Sequence, residues 1–295
     1  MTTIEIPGYA KINLYLAVTD KLPNGYHTVE TVMQAISLHD TVTVEITENA
    51  VDPITLPCSA PYVPCDVTNL VWRAAERFFE AAEAQNPDFR RFPVRMHIEK
   101  NIPVAGGLAG GSTDAAAALI ALNRLAHDVL DTDTLLAIAA KLGADVPFCV
   151  LANLGHPTAL GLHWGEQMTV LPSLPALHVV VAASGEGCPT PWAYGRIDAL
   201  PHDPENGYTP MVDALTIGDP DAVFSRMYNI FEAAIFPERP LAKQCHDMLS
   251  RYADRALLSG SGSAVIGLFT DPTRAEIACA ALRAEGAAAH LCRTL

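Results

Sequence analysis

The residues that first invite chemistry lie in "NIPVAGGLAGGSTDAAAALIALNRLA", residues 101–126. There Gly106, Gly107, Gly110 and Gly111 fall within six positions, with Ser112, Thr113 and Asp114 directly behind them. Glycine reaches positive φ without steric penalty, so such a run lets successive backbone N–H groups turn one way. The alanine-rich stretch that follows reads as a helix, and a helix N-terminus offers unpaired N–H donors and a partial positive charge. Together these make an anion site, most often for phosphate. The segment lacks the G-K-[ST] ending of a Walker loop and the G-x-G-x-x-G spacing of a dinucleotide fold. By itself it reads equally as a tight strand-to-helix turn.

Other candidates are scattered along the chain. In "PGYAKINLYL" the two-residue period of a strand puts Lys11 and Asn13 on one face, opposite Ile12 and Leu14. A lone lysine there is either a solvated edge or the lining of a cleft, and Asn13 could equally satisfy neighbouring backbone. In "GADVPFCV", residues 143–150, Asp145 stands between Gly143 and Pro147, where spacing alone reads as a turn. Tyr26 and His27 follow Asn24-Gly25, itself a turn signal. "LSGSGSAVIGLF" carries Gly260 and Gly262, a hairpin between two strands whose small residues allow close backbone approach. His156 and His163 have no third ligand at recognisable spacing, so no zinc site is expected.

The elements that must position these residues follow from periodicity. "AKINLYLAV" and "DTVTVEITE" read as strands, the second from the alternation of Val42, Val44 and Ile46. "NLVWRAAERFFEAAEAQN" reads as a helix burying Leu70, Val71, Ala74, Ala75, Phe78, Phe79 and Ala82, with Asp66 and Thr68 as candidate caps. "FPVRMHIEKN" alternates again, so the glycine-rich segment joins a strand to a helix over 112–126. "DTDTLLAIAAKLG" gives a second helix, with Gly143 as its stop. Beyond about residue 170 come the strand "LHVVVAAS", helices over 219–236 and 240–253, two short strands around "LSGSGS", the helix "PTRAEIACAALRAEG" and the strand "AAAHLCRTL". That order predicts an α+β sandwich of the split β-α-β kind, with helices on one sheet face.

Composition narrows the partners. The chain of 295 residues is half apolar, no apolar run approaches the length of a membrane span, and the first residues lack a signal-peptide pattern, so a cytoplasmic protein is expected. Seven scattered cysteines without C-x-x-C pairs read as reduced thiols. A formal charge of -14 disfavours nucleic acid and anionic membranes, so any anionic ligand needs a local device.

Taken in order, "PGYAKINLYL", "PVAGGLAGGSTDAA", "GADVPFCV" and "LSGSGSAVIGLF" resemble the motif set of the GHMP kinase superfamily from end to end of the chain. "NGYHTVETVMQAISLHDTV" and "NLVWRAA" narrow the resemblance to the branch whose acceptor is a cytidine diphosphate sugar-alcohol of the non-mevalonate isoprenoid pathway. The resemblance implies two domains, an N-terminal α/β ATP-binding domain (ribosomal protein S5 domain 2-like) over 1–165 and a C-terminal ferredoxin-like domain over 166–295. It implies ATP with Mg²⁺, a monomer or homodimer, Asp145 as general base and Lys11 as its neighbouring cation. Asn13 matches a substrate-contacting asparagine. Tyr26, His27, Thr190, Pro191 and Tyr194 would recognise the cytidine, the two tyrosines as a sandwich for the base. Pro103, Val104, Ala105, Gly106, Gly107, Leu108, Ala109, Gly110, Gly111, Ser112 and Thr113 would wrap the phosphates of ATP, with Asn69 and Lys100 near the nucleotide. Two departures stand out: His163-Trp164 where the family carries glycine and arginine, and Ile230 in place of a common aspartate. A homoserine or mevalonate type of kinase and a non-catalytic nucleotide-binding relative remain the alternatives.

Overall fold

The computed structural model describes residues 2–23, 25, 27–47, 52–198, 200 and 207–295. By contacts the chain forms two compact units. One comprises Met1–Ala10, His39–Ile102 and Ala109–Gly155; the other comprises Lys11–Leu38, Pro103–Leu108 and His156–Leu295. Two long strands, β1 (Thr3–Lys21) and β2 (His27–Ile46), contribute residues to each unit.

In the first unit the end of β2, Thr41 to Ile46, pairs antiparallel with β4 (Val94–Glu99), and the short β3 (Ile54–Thr55) adds to β4 in parallel. The helices are α1 (Leu70–Gln85), α2 (Gly110–Leu125), α3 (Thr132–Leu142) and α4 (Val146–Asn153). Helix α1 buries Val71, Ala74, Ala75, Phe78, Phe79 and Ala82, the expected stripe with Leu70 at its margin. Each fully buried Phe of that stripe stabilises the unit by about 1.5–3 kcal/mol. The cap is Asn69, whose side chain accepts from the Val71 N–H at 2.9 Å. Asp66 and Thr68 do not cap the helix: the Asp66 carboxylate turns back to the N–H and hydroxyl of Thr68. Helix α4 is an addition to the sequence reading, started by Pro147 in its first turn, where the missing N–H costs nothing.

In the second unit β5 (Thr158–Leu162) pairs antiparallel with Thr31 to Gln34 of β2, and β6 (Gln167–Val170) with β5. The other sheet holds β7 (His178–Ala183), β9 (Arg255–Leu258), β10 (Val265–Phe269) and β11 (Ala288–Arg293) in the order β11-β7-β10-β9, every neighbour antiparallel. With α10 (Pro272–Ala284) joining β10 to β11, this is the expected split β-α-β, ferredoxin-like arrangement. Helix α10 buries Ala275, Ala278, Cys279 and Leu282, one stripe at helical spacing, and all of β10 is buried.

The connection from β7 to β9 is richer than expected. It contains α5 (Thr190–Ile197), α6 (Thr209–Ile217), α7 (Pro220–Phe224), β8 (Tyr228–Asn229), α8 (Phe231–Ile235) and α9 (Pro240–Leu249). The single helix read over 219–236 is therefore broken. Tyr228 and Asn229 pair in parallel with Tyr15 and Leu16 of β1. The buried Asn229 amide donates to the Leu258 and Gly260 carbonyls, both at 2.8 Å, and its Oδ1 accepts from the Phe231 N–H at 3.0 Å. These tertiary bonds override the helical pattern.

Candidate active site

In the second unit the start of the glycine-rich segment lies against the turn between β9 and β10. The Ser259 hydroxyl donates to the Gly107 carbonyl at 3.1 Å, and the Ala264 N–H to the Gly106 carbonyl at 3.2 Å. A Cβ on Gly107, whose φ is +76°, would stand 2.1 Å from the Ser259 carbonyl oxygen; one on Gly260 would stand 2.8 Å from the Gly107 oxygen. These two glycines are needed by each other. The hairpin reading of "LSGSGS" and its close backbone approach both hold, and the surface approached is the protein's own loop.

Lys11 joins this group. Its N–H donates to the Leu108 carbonyl at 3.2 Å, and its ammonium donates to Asn13 Oδ1 at 2.8 Å. Lys11 is only 4% exposed, which removes the solvated-edge reading, since a buried ammonium requires oriented acceptors. Asn13 Oδ1 also accepts from the Gly260 N–H at 3.0 Å, while its Nδ2 donates to Thr31 Oγ1 at 2.8 Å. Thr31 in turn donates to the Tyr15 carbonyl at 2.9 Å. Ile12 and Leu14 are fully buried on the other face, as the strand period requires.

A second cluster of the same unit surrounds His27. Its ring stands 5.0 Å from that of Tyr194, which meets Phe231 edge to face, also at 5.0 Å. His27 Nε2 lies 2.8 Å from Asp198 Oδ1, and Lys21 bonds the other carboxylate oxygen. Hydrogen bonds from Lys21 and His27 hold the Asp198 carboxyl below its usual range. Asp198 was not visible in the sequence, being 171 residues from His27. Thr190 and Pro191 open α5, with Thr190 Oγ1 at 3.4 Å from Ser261 Oγ. Tyr26 lies outside the described residues.

In the first unit α2 begins behind Ala109, whose φ of +60° is left-handed and whose side chain offers no cap. Ala105 and Gly107, earlier in the segment, also have positive φ. Ser112 is partly exposed at the helix start, whereas Thr113 is buried and donates its hydroxyl to the Tyr9 carbonyl at 2.8 Å. Asp145 occupies the N-cap position of α4, where its side chain makes no capping hydrogen bond. Asn69 is bound into its own turn, accepting from Val71 and donating to the Pro64 carbonyl at 2.7 Å. Lys100 is buried between two carboxylates that sequence reasoning did not connect to it, Asp40 and Asp114.

The two departures from the family pattern have local explanations. His163 has φ +65°, a left-handed conformation that favours glycine; its ring stacks on Trp164 at 4.5 Å and bonds Glu166 at 2.7 Å. Ile230 is buried in the core of the second unit, and Asn229 supplies the acceptor for the Phe231 N–H beside it.

Comparison with known proteins adds the family. Residues 69–153 match the GHMP kinases N terminal domain and residues 211–288 match GHMP kinases C terminal. A 4-diphosphocytidyl-2-C-methyl-D-erythritol kinase of Corynebacterium diphtheriae is 37% identical, the match covering 96% of this chain and 93% of that one. Its namesake in Gloeobacter violaceus is 36% identical over 100% of this chain and 95% of its own. A crystal structure of 4-(cytidine 5'-diphospho)-2C-methyl-D-erythritol kinase matches with TM-score 0.79 and 34% identity, covering 99% of each chain. A homoserine kinase structure from Cytophaga hutchinsonii matches with TM-score 0.76 at 17% identity and 100% and 95% coverage, a likeness of fold.

Proposed function

The chain belongs to the GHMP kinase family, and on that premise we propose that it phosphorylates the 2-hydroxyl of 4-(cytidine 5'-diphospho)-2-C-methyl-D-erythritol with ATP. The observation that carries this reading is the nearly full-length likeness to proteins of that name at 37% and 36% identity. It would place the protein in non-mevalonate isoprenoid precursor synthesis, in the cytoplasm, as a monomer or homodimer. Among the described residues no helix is long and apolar enough to cross a membrane. The linear division into modules 1–165 and 166–295 belongs to the same proposal.

In this mechanism the Asp145 carboxylate accepts the proton of the acceptor hydroxyl as its oxygen bonds to the γ-phosphorus. The bond from the γ-phosphorus to the bridging oxygen breaks and ADP departs. Lys11, held in orientation by Asn13, offsets the charge that develops on the transferred group. The N–H groups of Pro103–Thr113, other than the proline's, cradle the ATP phosphates, aided by the α2 dipole, with Asn69 and Lys100 near the nucleotide. Mg²⁺ enters with ATP. Among the described residues no three His, Cys, Asp or Glu side chains stand together as a metal cage. The Ser112 hydroxyl, partly exposed at the start of α2, would be the protein's contact to the ion, which would offset phosphate charge.

Cytidine recognition falls to His27, Tyr26, Thr190, Pro191 and Tyr194. What supports it is the pairing of His27 with both an aromatic ring and a carboxylate, which fixes the imidazole in one orientation. The test is ADP release with Mg-ATP, comparing the cytidine diphosphate methylerythritol with mevalonate and homoserine. Release with the first alone is expected. Release with homoserine or mevalonate instead would overturn the acceptor assignment, and release with none of the three would favour a non-catalytic relative.

A further inference from the structure

Three charged side chains in the first unit form a cluster, of which the proposed function names Lys100 alone. Lys100 directly follows β4, before the glycine-rich loop, Asp114 lies in the second turn of α2 behind that loop, and Asp40 comes from β2. The Lys100 ammonium donates to Asp40 Oδ2 and, at 2.8 Å, to Asp114 Oδ2. All three side chains are at most 5% exposed. Asp40 Oδ1 accepts from two consecutive backbone N–H groups at the loop entrance, Asn101 at 2.5 Å and Ile102 at 2.8 Å. Gly110 makes room for the cluster: a Cβ there would lie 3.2 Å from the Lys100 ammonium and 3.6 Å from Asp40 Oδ2.

We infer that Asp40, Lys100 and Asp114 form a buried clamp that ties the two stems of the glycine-rich segment together, and that they act through it as positioning residues for nucleotide binding. The inference rests on reading that segment as the nucleotide loop. The chain leaves the clamp at Ile102 and re-enters it at Gly110, so the intervening loop is closed at its base before any ligand arrives. Closing the base removes conformational freedom that binding would otherwise have to remove, and preorganisation of this kind appears as affinity. Lys100 thus serves the nucleotide through the loop it anchors, its ammonium being directed at two carboxylates.

The clamp also has two charge states. Asp114 Oδ1 is buried with no hydrogen-bond partner. Burial pushes the Asp114 carboxyl up to about 7; Lys100 opposes that rise and the charge of Asp40 adds to it. Lys100 itself is lowered by burial, but the two carboxylates outweigh this and leave its pKa above the ordinary lysine value. The neighbouring titratable groups are Cys58, whose thiol burial pushes up so that it stays neutral, and His39, packed edge to face on Tyr9. The buried faces of α1 and α4 are apolar. Protonated Asp114 leaves the cluster neutral; ionised Asp114 leaves it with a net negative charge in the helix that faces the phosphates. Nucleotide affinity therefore falls as pH rises through neutrality, and Asp114→Asn imitates the protonated state.

The experiment is calorimetric titration with Mg-AMP-PNP, without acceptor, from pH 6 to 9, on the wild type, Asp114→Asn and Asp114→Ala. The ligand's own ionisation is common to all three and cancels in their ratios. Expected is an affinity ratio of Asp114→Asn to wild type that grows about fivefold or more between the ends of the range. Asp114→Ala, which leaves Lys100 without that acceptor, should bind about tenfold more weakly than Asp114→Asn throughout. A constant ratio, or an Ala variant equal to the Asn variant, overturns the clamp. Should Asp114→Ala fail to fold, hydrogen exchange in the wild type decides: the Asn101 and Ile102 amides are expected to be strongly protected, and rapid exchange there overturns the inference. A wild type that binds no Mg-AMP-PNP overturns the nucleotide reading itself and leaves the exchange result to judge the clamp.

Discussion

Asn13 joins the proposed catalytic lysine to the turn after β9, so its replacement by alanine should be felt in both stability and rate. Three hydrogen bonds disappear: from the Lys11 ammonium at 2.8 Å, from the Gly260 N–H at 3.0 Å, and to Thr31 Oγ1 at 2.8 Å. A bond to a charged group contributes about 1.5–3 kcal/mol and a neutral one about 1 kcal/mol. The sum is about 3–5 kcal/mol, a large part of the roughly 5–15 kcal/mol that holds a protein folded. At about 2–4 °C per kcal/mol for domains of this size, Asn13→Ala should melt roughly 6–20 °C below the wild type by calorimetry. Asn13→Asp keeps the acceptor for both Lys11 and Gly260 and should recover more than half of that loss. Its acceptor KM then reports on direct substrate contact, while kcat reports on the orientation of Lys11. A melting temperature for Asn13→Ala within about 2 °C of wild type would refute the network as a source of stability.

Four further substitutions probe separate parts of the reading. Gly107→Ala places a Cβ 2.1 Å from the Ser259 carbonyl oxygen at φ +76° and should cost about 2–5 kcal/mol, read as a lower melting temperature. Gly155→Ala, at φ +93° with nothing within 4 Å, should cost only the backbone part, about 1–2 kcal/mol; equal losses at both positions would deny the close approach of the two turns. Asp145→Asn should lower kcat about 100-fold or more while Mg-AMP-PNP still binds, and a near wild-type kcat would remove Asp145 as the base. Asp198→Asn should raise the KM for the cytidine acceptor several-fold and leave kcat and the KM for ATP unchanged, because it loosens His27 without touching the phosphates. Equal rises in both KM values would contradict that assignment.

How much of this was legible in the sequence depends on what each residue answers to. Local periodicity carried the buried stripe of α1, the Lys11 and Asn13 face of β1 and the individual strands of the ferredoxin-like sheet, since each is fixed by neighbours within a few positions. The break of the 219–236 helix was not legible. Its cause is Asn229, whose amide is held by carbonyls 29 and 31 residues away in a strand pair of only two residues. The glycines were visible as glycines, but Gly107 and Gly260 look alike in a sequence whether the close neighbour is a phosphate or another backbone. Gly110, read as part of an anion loop, also leaves space for the Lys100 ammonium. Buried charge shows the same limit most clearly. A lysine directly before a glycine-rich turn and a helix must, if buried, find carboxylates, and that requirement follows from the cost of an unpaired charge. Which of the 33 acidic residues answer it depends on partners 14 and 60 positions away, and only the fold brings those together.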